Sequence, residues 1–168
     1  MSVEIRNEAA TDVDAIDAVT TAAFLAAPHT DHTEQFIVKA LRKVGKLTVS
    51  LVAELDGEIV GHVAVSPVSI SNGASNWHGL GPISVLPAYQ GQGVGSRLMR
   101  EALSALRESG SFGCVVLGEP GFYGRFGFRA EPGLVLPNVP PEYFQAVSFG
   151  AAMPSGNVSY DESFNARA

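Results

Sequence analysis

The stretch that constrains this chain most is Ile83-Ser84-Val85-Leu86-Pro87-Ala88-Tyr89-Gln90-Gly91-Gln92-Gly93-Val94-Gly95-Ser96-Arg97, which passes from a strand through a proline-closed turn into a helix. That helix opens on glycine, where each such residue costs up to ~1 kcal/mol against alanine. A tight turn explains one or two of Gly91, Gly93 and Gly95, but three at alternate positions point to a ligand approached by bare backbone. Unpaired N–H groups at a helix start face outward and carry the positive end of the helix dipole, so the expected ligand is an anion such as a diphosphate. Arg97 adds charge nearby. Two other nucleotide motifs do not fit. A dinucleotide fingerprint from Gly91 and Gly93 needs Gly or Ala at position 96, which is Ser, and an acidic residue on the next strand, which is the apolar Cys114–Leu117. No Gly-Lys-Ser or Gly-Lys-Thr occurs, so a P-loop is excluded.

Around this turn the elements alternate. Val3-Glu4-Ile5-Arg6 reads as a short strand, and Thr11-Asp12-Val13-Asp14 has the spacing of a capping box that starts a helix to about Leu25. Pro28-His29-Thr30 interrupts it. Phe36, Ile37, Ala40, Leu41 and Val44 then recur at helical spacing until Gly45. Leu47–Leu55 and Glu58–Ser66 are β-rich runs joined at Asp56-Gly57, a two-residue hairpin signal. Asn72-Gly73 turns into a strand from about Trp77 to Leu86; Gly93–Ser109 is a helix with Leu98, Ala102, Leu103, Ala105 and Leu106 on its inner face. Cys114–Leu117 is a short apolar strand and Phe122–Phe126 a brief helix. Phe128–Leu136 and Glu142–Val147 are expected as closing strands around the proline-rich Pro137–Pro141, and the polar tail after Met153 as loose. The order is mixed α+β, with no repeat or dividing linker, which predicts one domain over residues 1–168.

Composition narrows the partners. The 168 residues are 46% hydrophobic and 17% charged, ample for a core, and a net charge of −6 with scattered Lys and Arg speaks against nucleic acid. One cysteine, Cys114, allows no disulfide framework; with no apolar run near the ~20 residues of a membrane span and no signal-peptide pattern, the expectation is a soluble, cytoplasmic protein without a membrane partner. His29, His32 and Asp31 do not make a closed ligand set, so no metal is predicted.

Gln90-x-x-Gly93-x-Gly95, with Val85-Leu86-Pro87 before it, resembles the pyrophosphate loop of the GNAT superfamily of N-acetyltransferases. Phe122-Tyr123-Gly124-Arg125-Phe126-Gly127-Phe128 resembles a second motif of that family, and the likeness runs from about Val3 to Val147. Leu80–Val85 and Tyr123–Phe128 look most like its YhbS-like branch. One departure is the Asn that often precedes the tyrosine motif, replaced by Gly118-Glu119-Pro120. The resemblance implies a twisted, mostly antiparallel sheet of about seven strands flanked by helices. It implies acetyl-CoA as cosubstrate, held by Gln90, Gly91, Gln92, Gly93, Val94, Gly95 and Ser96 at the diphosphate. The pantetheine arm is then held by backbone groups of Ile83, Ser84 and Val85. Pro82, which cannot donate to a ladder, belongs at an edge or a bulge on that strand. Pairing of two copies through the last strands, with Tyr143–Val147 suited to it, is a further implication.

Acetyl transfer to an amine needs a neutral amine, a polarised carbonyl and a proton for the departing thiolate. Tyr123 matches the family's general acid, and a phenol near pKa ~10 stays protonated at neutral pH. The competing reading is a packed aromatic between Phe122 and Phe126. For the base, Glu34, Glu119, His62 and His78 are the candidates, with Glu34 ranked first, although each also reads as an ordinary exposed carboxylate or structural histidine. Cys114, in an apolar strand, reads as inert, which favours direct transfer. The expected function is acetyl-CoA-dependent acetylation of a primary amine on a small molecule, an amino acid, or a protein Lys or N-terminus. The alternative is a catalytically silent acyl-CoA sensor or interaction module. A third possibility is a different acyl acceptor or a longer acyl donor, because acceptor pockets are made by variable loops.

Overall fold

The computed structural model describes residues 2–25, 27–28 and 30–168. Chain order is β1 (Glu4–Asn7), α1 (Val13–Phe24), α2 (Glu34–Lys43), β2 (Val49–Leu55), β3 (Glu58–Ile70), β4 (Trp77–Val85), α3 (Val94–Glu108), β5 (Gly113–Leu117), α4 (Pro120–Tyr123), β6 (Leu134–Val135), β7 (Phe144–Ser148) and β8 (Gly156–Tyr160). The architecture is α+β, a mostly antiparallel sheet flanked by helices.

The hairpin at Asp56-Gly57 starts the sheet. Both residues take positive φ, 50° and 80°, the turn geometry whose twist matches right-twisted strands. β2 and β3 pair antiparallel, and the sheet order is β1-β2-β3-β4-β5-β7. Alternation along β2 sends Leu51 and Ala53 to one face and Val52 to the other. On the first face lie Leu98, Met99, Ala102 and Leu106 of α3, fully buried and each large side chain contributing roughly 1.5–3 kcal/mol of burial. On the second, Ile16 of α1 and Val38 of α2 pack on Val52.

β4 and β5 are the one parallel pair of the main sheet, joined only over Trp77↔Gly113, His78↔Cys114 and Gly79↔Val115. Beyond Gly79 they part: β4 runs on to Val85 along β3, and β5 to Leu117 along β7. This V-shaped parting leaves the β5-facing backbone edge of Ile83–Val85 without a strand. Pro82 sits at a bulge, where one residue of β3 opposes two of β4 between the pairs Val63↔Ile83 and Val65↔Leu80, so its missing N–H interrupts no ladder bond.

The closed end of the parting depends on Gly113. A Cβ there would lie 2.3 Å from two ring carbons of Trp77, itself 2% exposed. Gly113→Ala is therefore expected to destabilise the protein by about 3 kcal/mol through overpacking. That corresponds to a drop of about 10 °C in Tm for a domain of this size, which a thermal melt would show.

Three features of the fold differ from the sequence expectations. The strand expected over Phe128–Leu136 shrinks to Leu134–Val135, with Arg129 bridged to Ala146 outside any strand. The tail expected to be loose contains β8, which pairs with the end of β3 (Val68↔Tyr160) and with β6, bringing the strand count among the described residues to eight. The cap before α1 is not Thr11: the Asp12 carboxylate accepts the Ala9 N–H at 2.7 Å and is braced by Arg6.

Candidate active site

Ile83, Val85, Gln90, Gly91, Gly93, Gly95 and Ser96 line one cleft of about 510 Å³, together with Tyr89, Phe122 and Arg125. Gly93 caps α3 at φ 86°, a conformation in which a side chain is strained, and so aims the first turn of the helix. The first backbone bond into that turn is Arg97 N–H to Gly93 O at 3.1 Å, so the amides ahead of it are the free donors of a helix start, at the dipole's positive end. Gln90 donates through Nε2 to Val85 O at 3.0 Å, and Gln92 to Ala88 O at 3.2 Å; both side chains brace the loop. Arg125 donates to Ser96 Oγ at 3.0 Å, placing a guanidinium beside the free amides. This cradle fits a diphosphate.

Three residues expected at this site do not reach the cleft with their side chains. Val94 is buried in the core beneath α3, Gln92 folds onto Ala88, and Ser84 points into the opposite face, its Oγ buried without a partner. The backbone groups of Gln92 and Val94 remain available to a ligand, whereas Ser84 is paired with His62 of β3. Tyr89, Phe122 and Arg125 were absent from the cofactor set read from the sequence. Phe122 and Arg125 flank Tyr123 in the motif already singled out, and that adjacency was their one signal.

Tyr123 does not line the cleft; it lies beside Phe122, which does, against the end of β5. Its ring covers Gly118 at the end of β5, where a Cβ would sit 2.5 Å from the ring, and it packs edge-on to Phe122 and Phe128 with centroids 5.0 and 6.1 Å away. Burial raises the phenol's pKa, and the neighbouring Cys114 raises it further, so the hydroxyl keeps its proton at neutral pH. Burial pushes the Cys114 thiol up strongly, which removes it as a nucleophile.

The four candidate bases occupy different surroundings. Glu34, at the start of α2, accepts from Thr30 Oγ1 at 2.6 Å through Oε2, while Oε1 is buried without a partner among the described residues. Glu34 does not line the cleft. Glu119 is exposed, and its backbone carbonyl caps α4. His78 is tied by Nδ1 to Ser111 Oγ at 2.8 Å, and burial lowers its pKa. His62 is fully buried, with Nε2 2.8 Å from Ser50 Oγ; Ser50 donates to Glu8, which also receives Arg42 at 2.9 and 3.0 Å. Burial opposes ionisation of Glu8, yet the bonds from Arg42 and Ser50 outweigh it and hold its carboxyl below the usual range.

Burial, against the opposing charge of Glu8 and with that of Arg42, pushes His62 from 6.5 down to about 4. A depressed histidine contributes stability that is present above its unfolded pKa and lost as pH falls through the window from 6.5 to about 4, because the unfolded chain takes up a proton that the folded one refuses. The expected loss across that window is on the order of 3 kcal/mol. In NMR the His62 ring should stay neutral until close to the lower limit. A midpoint near the ordinary value would contradict this.

Among the described residues no helix is long and apolar enough to cross a membrane, and no group of three or more His, Cys, Asp or Glu is placed to share a metal ion. His29, weighed as a ligand above, lies outside the described residues.

Comparison with known proteins matches residues 46–130 to a family model described as an acetyltransferase (GNAT) domain. The uncharacterized N-acetyltransferase YhbS of Escherichia coli strain K12 is 39% identical over 126 residues, covering 74% of this chain and 72% of the relative. A GNAT family acetyltransferase from Brucella melitensis, solved in complex with acetyl-CoA, is 47% identical with TM-score 0.87, over 97% of this chain and 98% of that one. The crystal structure of Escherichia coli YhbS in complex with CoA is 34% identical with TM-score 0.86, over 97% of this chain and 92% of that one.

Proposed function

The chain belongs to the GNAT family of N-acetyltransferases, and from that premise we propose that it moves an acetyl group from acetyl-CoA directly to a primary amine, on a small molecule, an amino acid, or a protein Lys or N-terminus. The observation that carries the reading is the continuity of the glycine-loop cleft with the parting of β4 and β5. The loop's free amides and Arg125 suit the diphosphate, and the edge at Ile83 and Val85, which no strand covers, suits an extended, amide-bearing arm. The complexes of the Brucella protein with acetyl-CoA and of YhbS with CoA support that donor.

In the reaction the neutral amine nitrogen forms a bond to the acetyl carbonyl carbon, the carbon–sulfur bond breaks, and the sulfur leaves with its electron pair. Tyr123 supplies the proton that the thiolate takes up. The amine gives up one proton, for which we assign Glu34 as acceptor, with water spanning the distance from the cleft.

The test is release of CoA thiol from acetyl-CoA across a panel of primary amines, amino acids and lysine peptides. Turnover with an amine, absent with the matching alcohols, is the expected result. Binding of acetyl-CoA without turnover on any acceptor would favour the silent sensor instead.

A further inference from the structure

Beyond the cleft, α3 presents Arg100, Ser104 and Arg107 on one side, at the spacings that share a helix face. With Leu103, Arg125 and Phe126 they line a second cavity of about 310 Å³, joined to the first through Arg125. Three arginines thus line one cavity in a chain of net charge −6. Among the described residues none of the three lies within ion-pair distance of a carboxylate. Aromatic faces hold them instead. The Arg100 Cζ stands 5.3 Å from the Phe126 centroid, Arg107 5.0 Å from that of Phe149, and Arg125 5.1 and 5.6 Å from Phe122 and Phe126. Stacking on a ring fixes a guanidinium plane while leaving N–H donors at its edge free, which is the presentation a phosphate group requires.

We propose that this cavity binds a phosphomonoester, the 3′-phosphate on the ribose of coenzyme A, and makes the protein selective for CoA thioesters over their 3′-dephospho forms. The proposal rests on the reading of the glycine loop as the diphosphate site. Arg100 follows Val94 by six residues, ~9 Å along the helix, so a nucleotide with its diphosphate on the loop carries its ribose toward this turn. A phosphomonoester is close to a dianion at neutral pH and pairs with arginine in two-pronged fashion. Like charges crowded at one place repel; a dianion between them turns that repulsion into attraction.

The test is calorimetric titration with acetyl-CoA and with 3′-dephospho-acetyl-CoA, a measurement that needs no acceptor. The parent should bind acetyl-CoA about tenfold or more tightly than the dephospho form. In Arg100→Ala/Arg107→Ala, whose two sites are exposed and outside the core, the ratio should fall to about twofold or less, mainly through weaker acetyl-CoA binding. Lys43→Ala/Lys46→Ala removes the same charge elsewhere and should keep the parent's ratio, separating a local site from a net-charge effect. Inorganic phosphate at millimolar level should leave the ratio intact; its erasure would assign the cavity to free phosphate and overturn the proposal. A ratio near one in the parent, or one unchanged in the arginine variant, would overturn it while the cofactor cleft stands. If acetyl-CoA does not bind the parent at all, the cleft reading falls and this one with it.

Discussion

Gly95→Asp is expected to abolish measurable acetyl-CoA binding while leaving thermal stability unchanged or slightly raised. Gly95 lines the cleft in the first turn of α3, at an ordinary helical backbone. A Cβ there would be 3.8 Å from Val85 Cγ2 and 3.9 Å from Phe122 Cζ, so the fold accepts the side chain. Loss of a helical glycine and a carboxylate near the helix start are each worth up to ~1 kcal/mol in favour of the folded state. Against the diphosphate the same carboxylate repels: about 4 kcal/mol for one charge pair at 4 Å and an effective dielectric of 20, near a thousandfold in affinity. Gly93→Asp would also weaken binding, but its φ of 86° adds backbone strain, so position 95 gives the cleaner answer. Calorimetry that found acetyl-CoA binding intact in Gly95→Asp would show that the loop is not the anion site.

Tyr123→Phe should lower kcat about 100- to 1000-fold with little change in the Kd for acetyl-CoA. The substitution keeps the ring that covers Gly118 and meets Phe122 and Phe128, so packing survives and only the hydroxyl is lost. Burial first, and Cys114 second, raise this phenol above its ordinary pKa of 10.0. An acid of that kind is fully protonated at neutral pH, so the parent's alkaline limb should move or vanish in the variant. If kcat drops less than about threefold, Tyr123 is a packed aromatic and the proton reaches the thiolate by another route.

Much of the architecture was legible because its signals are local. The 3.6-residue period of Leu98, Ala102, Leu103 and Leu106 predicts the buried face of α3, and Asp56-Gly57 predicts the hairpin from backbone preference alone. β8 was not legible, since Gly156-Asn157-Val158-Ser159-Tyr160 buries only Val158 fully and draws its order from strands far away in sequence. A five-residue polar stretch carries no period strong enough to announce that pairing.

The site divides in the same way. The glycine-rich start of α3 was readable residue by residue, because glycine at 91, 93 and 95 ahead of a helix is a statement about backbone conformation. The cleft's outer wall was not, since Arg125 and Phe122 arrive from the segment that follows β5. Likewise His62 read as a candidate base from its strand position, and only the fold shows it buried against Ser50, which Glu8 and Arg42 hold from two other segments. Its depressed pKa is a product of that burial.

What the sequence determined by itself is therefore what short-range physics controls: helix faces, the hairpin and the glycine-opened helix. The tertiary structure alone decided where β4 and β5 part, which aromatic faces hold the arginines, and which ionisable groups lose their water. Those outcomes depend on contacts between segments tens of residues apart, whose energies exist only once the chain has closed around them.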